Sequence, residues 1–134
     1  MTATLIDTNV LFDLLSDDAD WSDWAAAMIA AAADRGTVVI NPIIYAEISV
    51  RYDRIEDVDL ALPADYFIRA PLPLEAAFLA AKCFARYRKR GGVRSSPLPD
   101  FFIGAHAAVA GMSLLTRDPR RYRTYFPKLT LVTP

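Results

Sequence analysis

Apolar and polar residues change their period several times along this chain. Apolar runs of strand length occur at Ala3 to Asp7, Thr37 to Asn41, Tyr66 to Ala70, Ser113 to Thr116 and Leu129 to Val132. Between them, apolar residues recur three and four apart. That spacing predicts helices near Val10 to Leu15, Trp21 to Arg35, Pro42 to Tyr52, Ile55 to Leu62, Pro73 to Arg90 and Pro99 to Ala110, with a short turn after Asp118. Strands alternating with helices predict an α/β domain built on a central, mainly parallel five-stranded sheet.

Several boundaries have a local cause. Asn41-Pro42 reads as an N-cap followed by proline at the first helical position, where the missing N–H breaks no internal bond. Gly36 and Gly91-Gly92 are placed to close the helices before them in the left-handed conformation that glycine tolerates. In the helix from Pro73, the residues Leu74, Ala77, Phe78, Ala81 and Ala85 form an apolar stripe, with Lys82, Arg86 and Lys89 on other faces.

Composition narrows the class. A chain of 134 residues that is 54% hydrophobic suits a single domain over residues 1–134. The stretch from Trp24 to Ala33 is too short for a membrane span, which needs about 20 apolar residues, and the first residues have no basic stretch before an apolar core. The expected address is the cytoplasm. The lone Cys83 makes no internal disulfide and reads as a small buried hydrophobe. Net charge is −1, yet residues 1–65 carry 13 acids against 3 bases, and residues 66–134 carry 12 bases against 3 acids. The basic half is expected to offer a surface to a polyanion, and the acidic half could meet a basic partner or be an ordinary solvated face.

Candidate chemistry rests on four acids, each at the edge of an apolar segment. Asp7 ends the first strand, Asp118 follows the fourth, Glu47 lies in the second turn of the helix after the second strand, and Asp100 lies in the first turn of its helix. Ligands of open parallel sheets gather beyond the carboxyl ends of the strands, and strand and helix directions bring all four acids to that edge. Carboxylates packed together repel one another, so a divalent cation is the natural compensation. Oxygen donors without His or Cys favour Mg²⁺ or Mn²⁺. Each acid also has a simpler local role. Asp7 and Asp118 could cap the turns after them, Glu47 could pair with Arg51, and Asp100 could answer a helix dipole. Thr8, Asn9 and Thr116 stand beside the acids and could orient them.

The segments Ile6-Asp7-Thr8-Asn9-Val10-Leu11, Ala46-Glu47-Ile48, Leu98-Pro99-Asp100-Phe101-Phe102-Ile103-Gly104-Ala105 and Leu115-Thr116-Arg117-Asp118 resemble the four acidic motifs of PIN-domain ribonucleases. Within that family the chain is most similar to VapC toxins of type II toxin-antitoxin pairs, over nearly its whole length. The resemblance implies a three-layer α/β/α fold and a Mg²⁺- or Mn²⁺-dependent endoribonuclease, homodimeric and held inactive by a cognate antitoxin. It makes transfer RNA or another structured RNA the expected substrate, with 5′-phosphate and 3′-hydroxyl product ends. Asp7, Asp100 and Asp118 become the expected metal-directed acids, and Glu47 the fourth catalytic acid.

Two basic clusters are expected to guide RNA to this acidic centre: Arg86, Arg88, Lys89, Arg90 and Arg94 around Gly91-Gly92, and Arg117, Arg120 and Arg121 around the last acid, with Arg123 and Lys128 beyond them. Tyr122 and Tyr125 lie among the latter and could stack on bases, although core packing is the competing role for Tyr125 and Phe126. Helical geometry turns His106 away from Asp100. Trp21 and Trp24, amid four aspartates, could pack in the core or offer an aromatic patch to a partner helix. A phosphatase of the haloacid dehalogenase class wants a second aspartate two residues after the first, and Asn9 occupies that place. The remaining alternatives are an RNA-binding module without turnover and a nuclease that has no antitoxin.

Overall fold

The computed structural model describes residues 2–94 and 98–134. Five strands form one sheet: β1 (Thr4–Ile6), β2 (Val38–Ile40), β3 (Phe67–Arg69), β4 (Ser113–Leu115) and β5 (Leu131–Val132). Helices α1 (Thr8–Leu14) and α2 (Ala19–Arg35) follow β1, α3 (Pro42–Ser49) and α4 (Ile55–Ala61) follow β2, α5 (Leu74–Lys89) and α6 (Pro99–Ala110) follow β3, and α7 (Arg120–Tyr125) follows β4. The strands run β3-β2-β1-β4-β5, and every pairing is parallel. All five expected strands are present, and helices cover both faces in a three-layer α/β/α fold.

That strand order fixes where a site can form. The chain leaves β1 toward β2 on one side and later crosses back to lay β4 on the other side of β1, so β1 and β4 flank the topological switch point. Their register pairs Thr4 with Ser113, Leu5 with Leu114 and Ile6 with Leu115. Both strands therefore end level, and the Asp7 N–H donates to the Leu115 carbonyl at 2.9 Å. Strand residues Leu5, Ile6, Ile40, Leu114 and Leu115 are wholly buried, together with Ile44, Ile48, Phe101 and Ile103 from the helices. Burial on both faces is what a continuous apolar strand in a parallel sheet requires.

Several ends differ from the sequence reading for identifiable reasons. Helix α1 begins at Thr8 because Asp7 itself is the N-cap, and α2 begins at Ala19 because the Asp18 carboxylate accepts from the N–H groups of Asp20 and Trp21. The short turn after Asp118 is a real helix, since Tyr122 and Phe126, four apart, both turn into the core. Gly91 has φ +90°, the left-handed region expected of it. Gly36 does not: its φ is 168°, ordinary extended backbone, and glycine is required there by space, because a Cβ would meet the Thr2 carbonyl oxygen at 2.4 Å.

The face of α5 is also corrected. Ala76, Ala80 and Cys83 are buried, whereas Leu74 and Phe78 of the expected stripe are 85% and 65% exposed. An alanine-rich helix carries two apolar stripes, and periodicity cannot choose between them; the small residues won because they let α5 and α6 approach closely.

At the β2–α3 junction, Asn41 Oδ1 accepts from the Ile44 N–H at 2.9 Å, and its Nδ2 lies 3.1 Å from His106 Nδ1. The amide nitrogen is the donor there, so the buried ring is neutral, and burial holds its pKa below the usual histidine value. His106 is thus a partner of a helix cap and stands apart from the acids. Asn41→Ala removes the cap and strands the ring nitrogen, and a loss of about 1–2 kcal/mol is expected in urea unfolding at pH 7.

Candidate active site

Asp7 lies at the floor of the carboxyl-edge site and is 4% exposed. Its Oδ1 accepts from the Thr8 N–H at 2.7 Å, while Oδ2 accepts from Thr116 Oγ1 and from the Tyr122 hydroxyl, each at 2.8 Å. All three donors are neutral. Burial, only partly offset by these bonds and worsened by nearby Asp100, pushes the Asp7 carboxyl up to about 6. Tyr122 is 1% exposed and holds its proton: burial and the two carboxylates push the phenol far above its ordinary range.

The Tyr122 hydroxyl also lies 3.4 Å from Asp100 Oδ1, so Asp7 and Asp100 converge on one oxygen atom. Asp100 Oδ2 receives Arg121 Nη1 at 3.3 Å. Burial raises the Asp100 pKa, with Arg121 opposing. Asp118 is the outermost of the three. Arg120 reaches both its oxygens at 3.1 and 3.3 Å and lowers its pKa. Burial thus raises the two inner acids, and arginine lowers the outer one.

Thr116 ties the ends of β1 and β4 together. Its hydroxyl donates to Asp7 and accepts from the Asp118 N–H at 3.2 Å, and Asn9 Nδ2 approaches it at 3.4 Å. Asn9 Oδ1 accepts the Arg117 N–H at 3.2 Å. Thr8 donates to Glu47 Oε1 at 2.7 Å, so Glu47 joins through the residue next to Asp7. Arg51 makes no use of Glu47; its guanidinium lies 3.8 Å from the centroid of the Phe12 ring. The local capping role of Asp7 coexists with its place in the cluster.

The donor set suits a hard divalent cation: carboxylate oxygens throughout, and a buried carboxylate whose partners carry no positive charge. As the side chains stand, no group of three or more His, Cys, Asp or Glu among the described residues is close enough to hold one ion. Arg120 pairs with Asp118 and Arg121 with Asp100. Both arginines also line, with Tyr87, Asp100, Asp118, Thr124 and Tyr125, a cleft of about 520 Å³ open to solvent.

The basic residues separate into three groups. Arg120 and Arg121 line the cleft, and Arg86 and Arg90 lie 5.6 and 5.5 Å from the ring centroid of Tyr125, another lining residue. Arg88, Lys89 and Arg94 are exposed beyond it, with Arg88 donating to the Arg94 carbonyl. Arg117 is drawn inward: Nη1 pairs with Asp13 Oδ1 at 2.8 Å, and the guanidinium lies 3.4 Å from the Trp21 ring centroid. Trp21 packs edge-on against Trp24, each half-buried.

Two site residues escaped the sequence reading in their actual roles. Tyr122 is no base-stacking platform, because its ring is enclosed; its place four residues after Asp118 and before Phe126 on a helical stripe was the available signal. Asp13, buried beside Arg117, carried no motif at all.

The family profile of the PIN domain matches residues 4–127. The chain belongs to the PIN-domain family. Solved structures share this PIN-domain fold over nearly the full length of both chains. A chain of VapBC2 from Rickettsia felis, bound to a DNA fragment from its promoter, is 16% identical with 98% of each chain covered and a TM-score of 0.76. One of VapBC-1 from nontypeable Haemophilus influenzae is 18% identical, covering 98% of this chain and 97% of that one, with a TM-score of 0.73. One of a toxin-antitoxin complex from Klebsiella pneumoniae is 22% identical, with 98% and 97% covered and a TM-score of 0.64. No curated protein matches the chain by sequence. Among the described residues, no helix is long and apolar enough to cross a membrane.

Proposed function

We propose that this PIN domain, over residues 1–134, is a Mg²⁺- or Mn²⁺-dependent endoribonuclease and the toxin of a toxin-antitoxin pair. The observation that carries the catalytic reading is the convergence of Asp7 and Asp100 on a single point at the switch of the sheet, beside Asp118 and under an arginine-rimmed cleft. The antitoxin reading draws on the toxin-antitoxin complexes among the structural neighbours. A homodimer acting in the cytoplasm on transfer RNA or another structured RNA completes the proposal.

Asp7, Asp100 and Asp118 would hold the cation, which when bound would lower the pKa of attacking water and offset charge on the phosphoryl oxygens. The chain's own groups do the rest. Thr116 and Tyr122 fix the Asp7 carboxylate by two donated hydrogen bonds, and Thr8 fixes Glu47 beside it. Arg86, Arg90, Arg120 and Arg121 draw the phosphate backbone toward an acidic centre that would otherwise repel it. A scissile phosphate in the cleft would face Asp100 and Asp118, and enclosure of Asp7 and Tyr122 keeps bulk water from the floor.

The test is to incubate purified protein briefly with total RNA and Mg²⁺ or Mn²⁺ and to map new 5′ ends. Discrete 5′-phosphate ends that vanish with chelator are expected. RNA retained without cleavage would instead identify a binding module. Co-expression with the adjacent reading frame's product, followed by co-purification and loss of cleavage, tests the antitoxin.

A further inference from the structure

Each carboxylate of the cleft carries its own arginine. Asp100 Oδ2 is 3.3 Å from Arg121 Nη1, and Asp118 is held by Arg120 Nε and Nη2 at 3.1 and 3.3 Å. The two pairs differ in how firmly they are built. Arg120 reaches back only two residues, and its side chain is 87% exposed. Arg121 joins α7 to α6 across 21 residues and is 39% exposed. Its guanidinium also sits 5.8 Å from the Phe101 ring centroid and 6.0 Å from that of Tyr87, which line or underlie the same cleft. An arginine that loses its carboxylate here keeps this aromatic seat, so its five donors stay in the cleft.

Building on the nuclease reading, we infer that Arg121 is a cation-released phosphate ligand: it neutralises Asp100 until a divalent ion takes that carboxylate, then turns its guanidinium to the RNA backbone. The charge balance requires a change of this kind. Among the cleft's lining residues, the charges of Asp100 and Asp118 balance those of Arg120 and Arg121. A divalent ion on the same acids leaves both arginines without a counter-ion, and the cleft gains two positive charges at the place where a phosphodiester enters. The guanidinium fork matches phosphate oxygens as well as it matches a carboxylate. Metal and RNA binding are then positively coupled, and by reciprocity each strengthens the other. The same pairing makes Arg121 a competitor of the metal when RNA is absent.

The experiment uses wild type, Arg121→Gln, Arg121→Lys and Asp7→Asn. Mn²⁺ affinity is measured by calorimetry without RNA. Binding of a fully phosphorothioate 2′-O-methyl RNA is measured by fluorescence anisotropy in EDTA and in saturating Mn²⁺. Expected results are Mn²⁺ binding several-fold tighter in R121Q than in wild type, and RNA affinity that rises about tenfold with Mn²⁺ in wild type, within the usual range of coupling. The rise shrinks to about threefold or less in R121Q, which loses less RNA affinity in EDTA than in Mn²⁺. R121K, which retains the charge and loses the fork, falls between them and controls for folding. Unchanged Mn²⁺ affinity in R121Q, or an equal loss of RNA affinity in EDTA and in Mn²⁺, would overturn the inference and leave the nuclease reading standing, provided wild type binds Mn²⁺ and D7N does not. Absence of Mn²⁺ binding by wild type would overturn both.

Discussion

Asp7→Asn is expected to abolish RNA cleavage and, in chelator at pH 8, to make the folded protein more stable. The catalytic loss follows from removing the most enclosed carboxylate of the cluster. A thousandfold fall in cleavage corresponds to about 4 kcal/mol of transition-state stabilisation, within the several kcal/mol that a metal-assisted site supplies. The stability gain follows from the Asp7 carboxyl being pushed up to about 6 from 3.8. Because its folded pKa is raised, the folded state binds more protons than the unfolded state between those values. Wild-type stability therefore falls as pH rises from about 4 to about 6, by at most about 3 kcal/mol.

Asparagine carries no such charge. Its Oδ1 can still accept from the Thr8 N–H, while Nδ2 can donate to Thr116 and Tyr122 once their hydroxyls reverse. After that rearrangement a gain of about 1–2 kcal/mol is expected, a rise of a few degrees in melting temperature. Thermal melts of both proteins in EDTA from pH 4 to 8 check this: the curves should diverge as pH rises. Mn²⁺ should then raise the wild-type melting temperature and leave D7N unmoved. A D7N protein that cleaves RNA, or that melts below wild type across the whole range, would contradict the role assigned to this carboxylate. On the proposed reading, function and stability are opposed at Asp7, as expected of a catalytic group held in a fold that does not neutralise it.

Gly104→Ala is expected to damage the same site from behind. A Cβ at position 104 would stand 2.4 Å from Phe126 Cε2 and 3.0 Å from Tyr122 Cδ1. Both rings are buried, so neither can swing aside freely. One methyl group must therefore push α7 away from α6, at a cost in the upper part of the roughly 1–3 kcal/mol typical of overpacking. The displacement acts on the ring whose hydroxyl holds Asp7 and reaches Asp100. Cleavage should fall at least tenfold under conditions where circular dichroism shows a folded protein, because small misplacements of catalytic groups have large effects on rate. Full activity in a destabilised G104A protein would show that the α6–α7 spacing matters only for packing.

The motif segments made much of this protein readable without coordinates. Strand and helix order followed from the change of period, and Asn41-Pro42 marked a helix start that the structure keeps. The edge positions of Asp7, Glu47, Asp100 and Asp118 were legible because a parallel α/β topology sends strand ends and helix starts to the same side. The buried face of α5 was not, since Leu74-Phe78 and Ala76-Ala80-Cys83 satisfy the same helical period. Arg51 paired with a ring when sequence spacing favoured Glu47, and Arg117, grouped with the RNA-facing bases, went inward to Asp13 and Trp21. Spacing states which residues can meet along one helix. It does not state which partner another element will offer.

By itself the sequence determined the alternation of elements, the parallel sheet and the edge at which the four acids stand, because those depend on local periodicity and on chain direction. Only the tertiary structure decided that Asp7 and Asp100 share the hydroxyl of Tyr122, that Arg121 occupies Asp100, and that Gly104 is where α7 rests on α6. Those facts depend on contacts across 22, 115 and 21 residues. Such contacts are set by how helices pack and by which charges burial leaves without a counter-ion, and neither is written in any one segment.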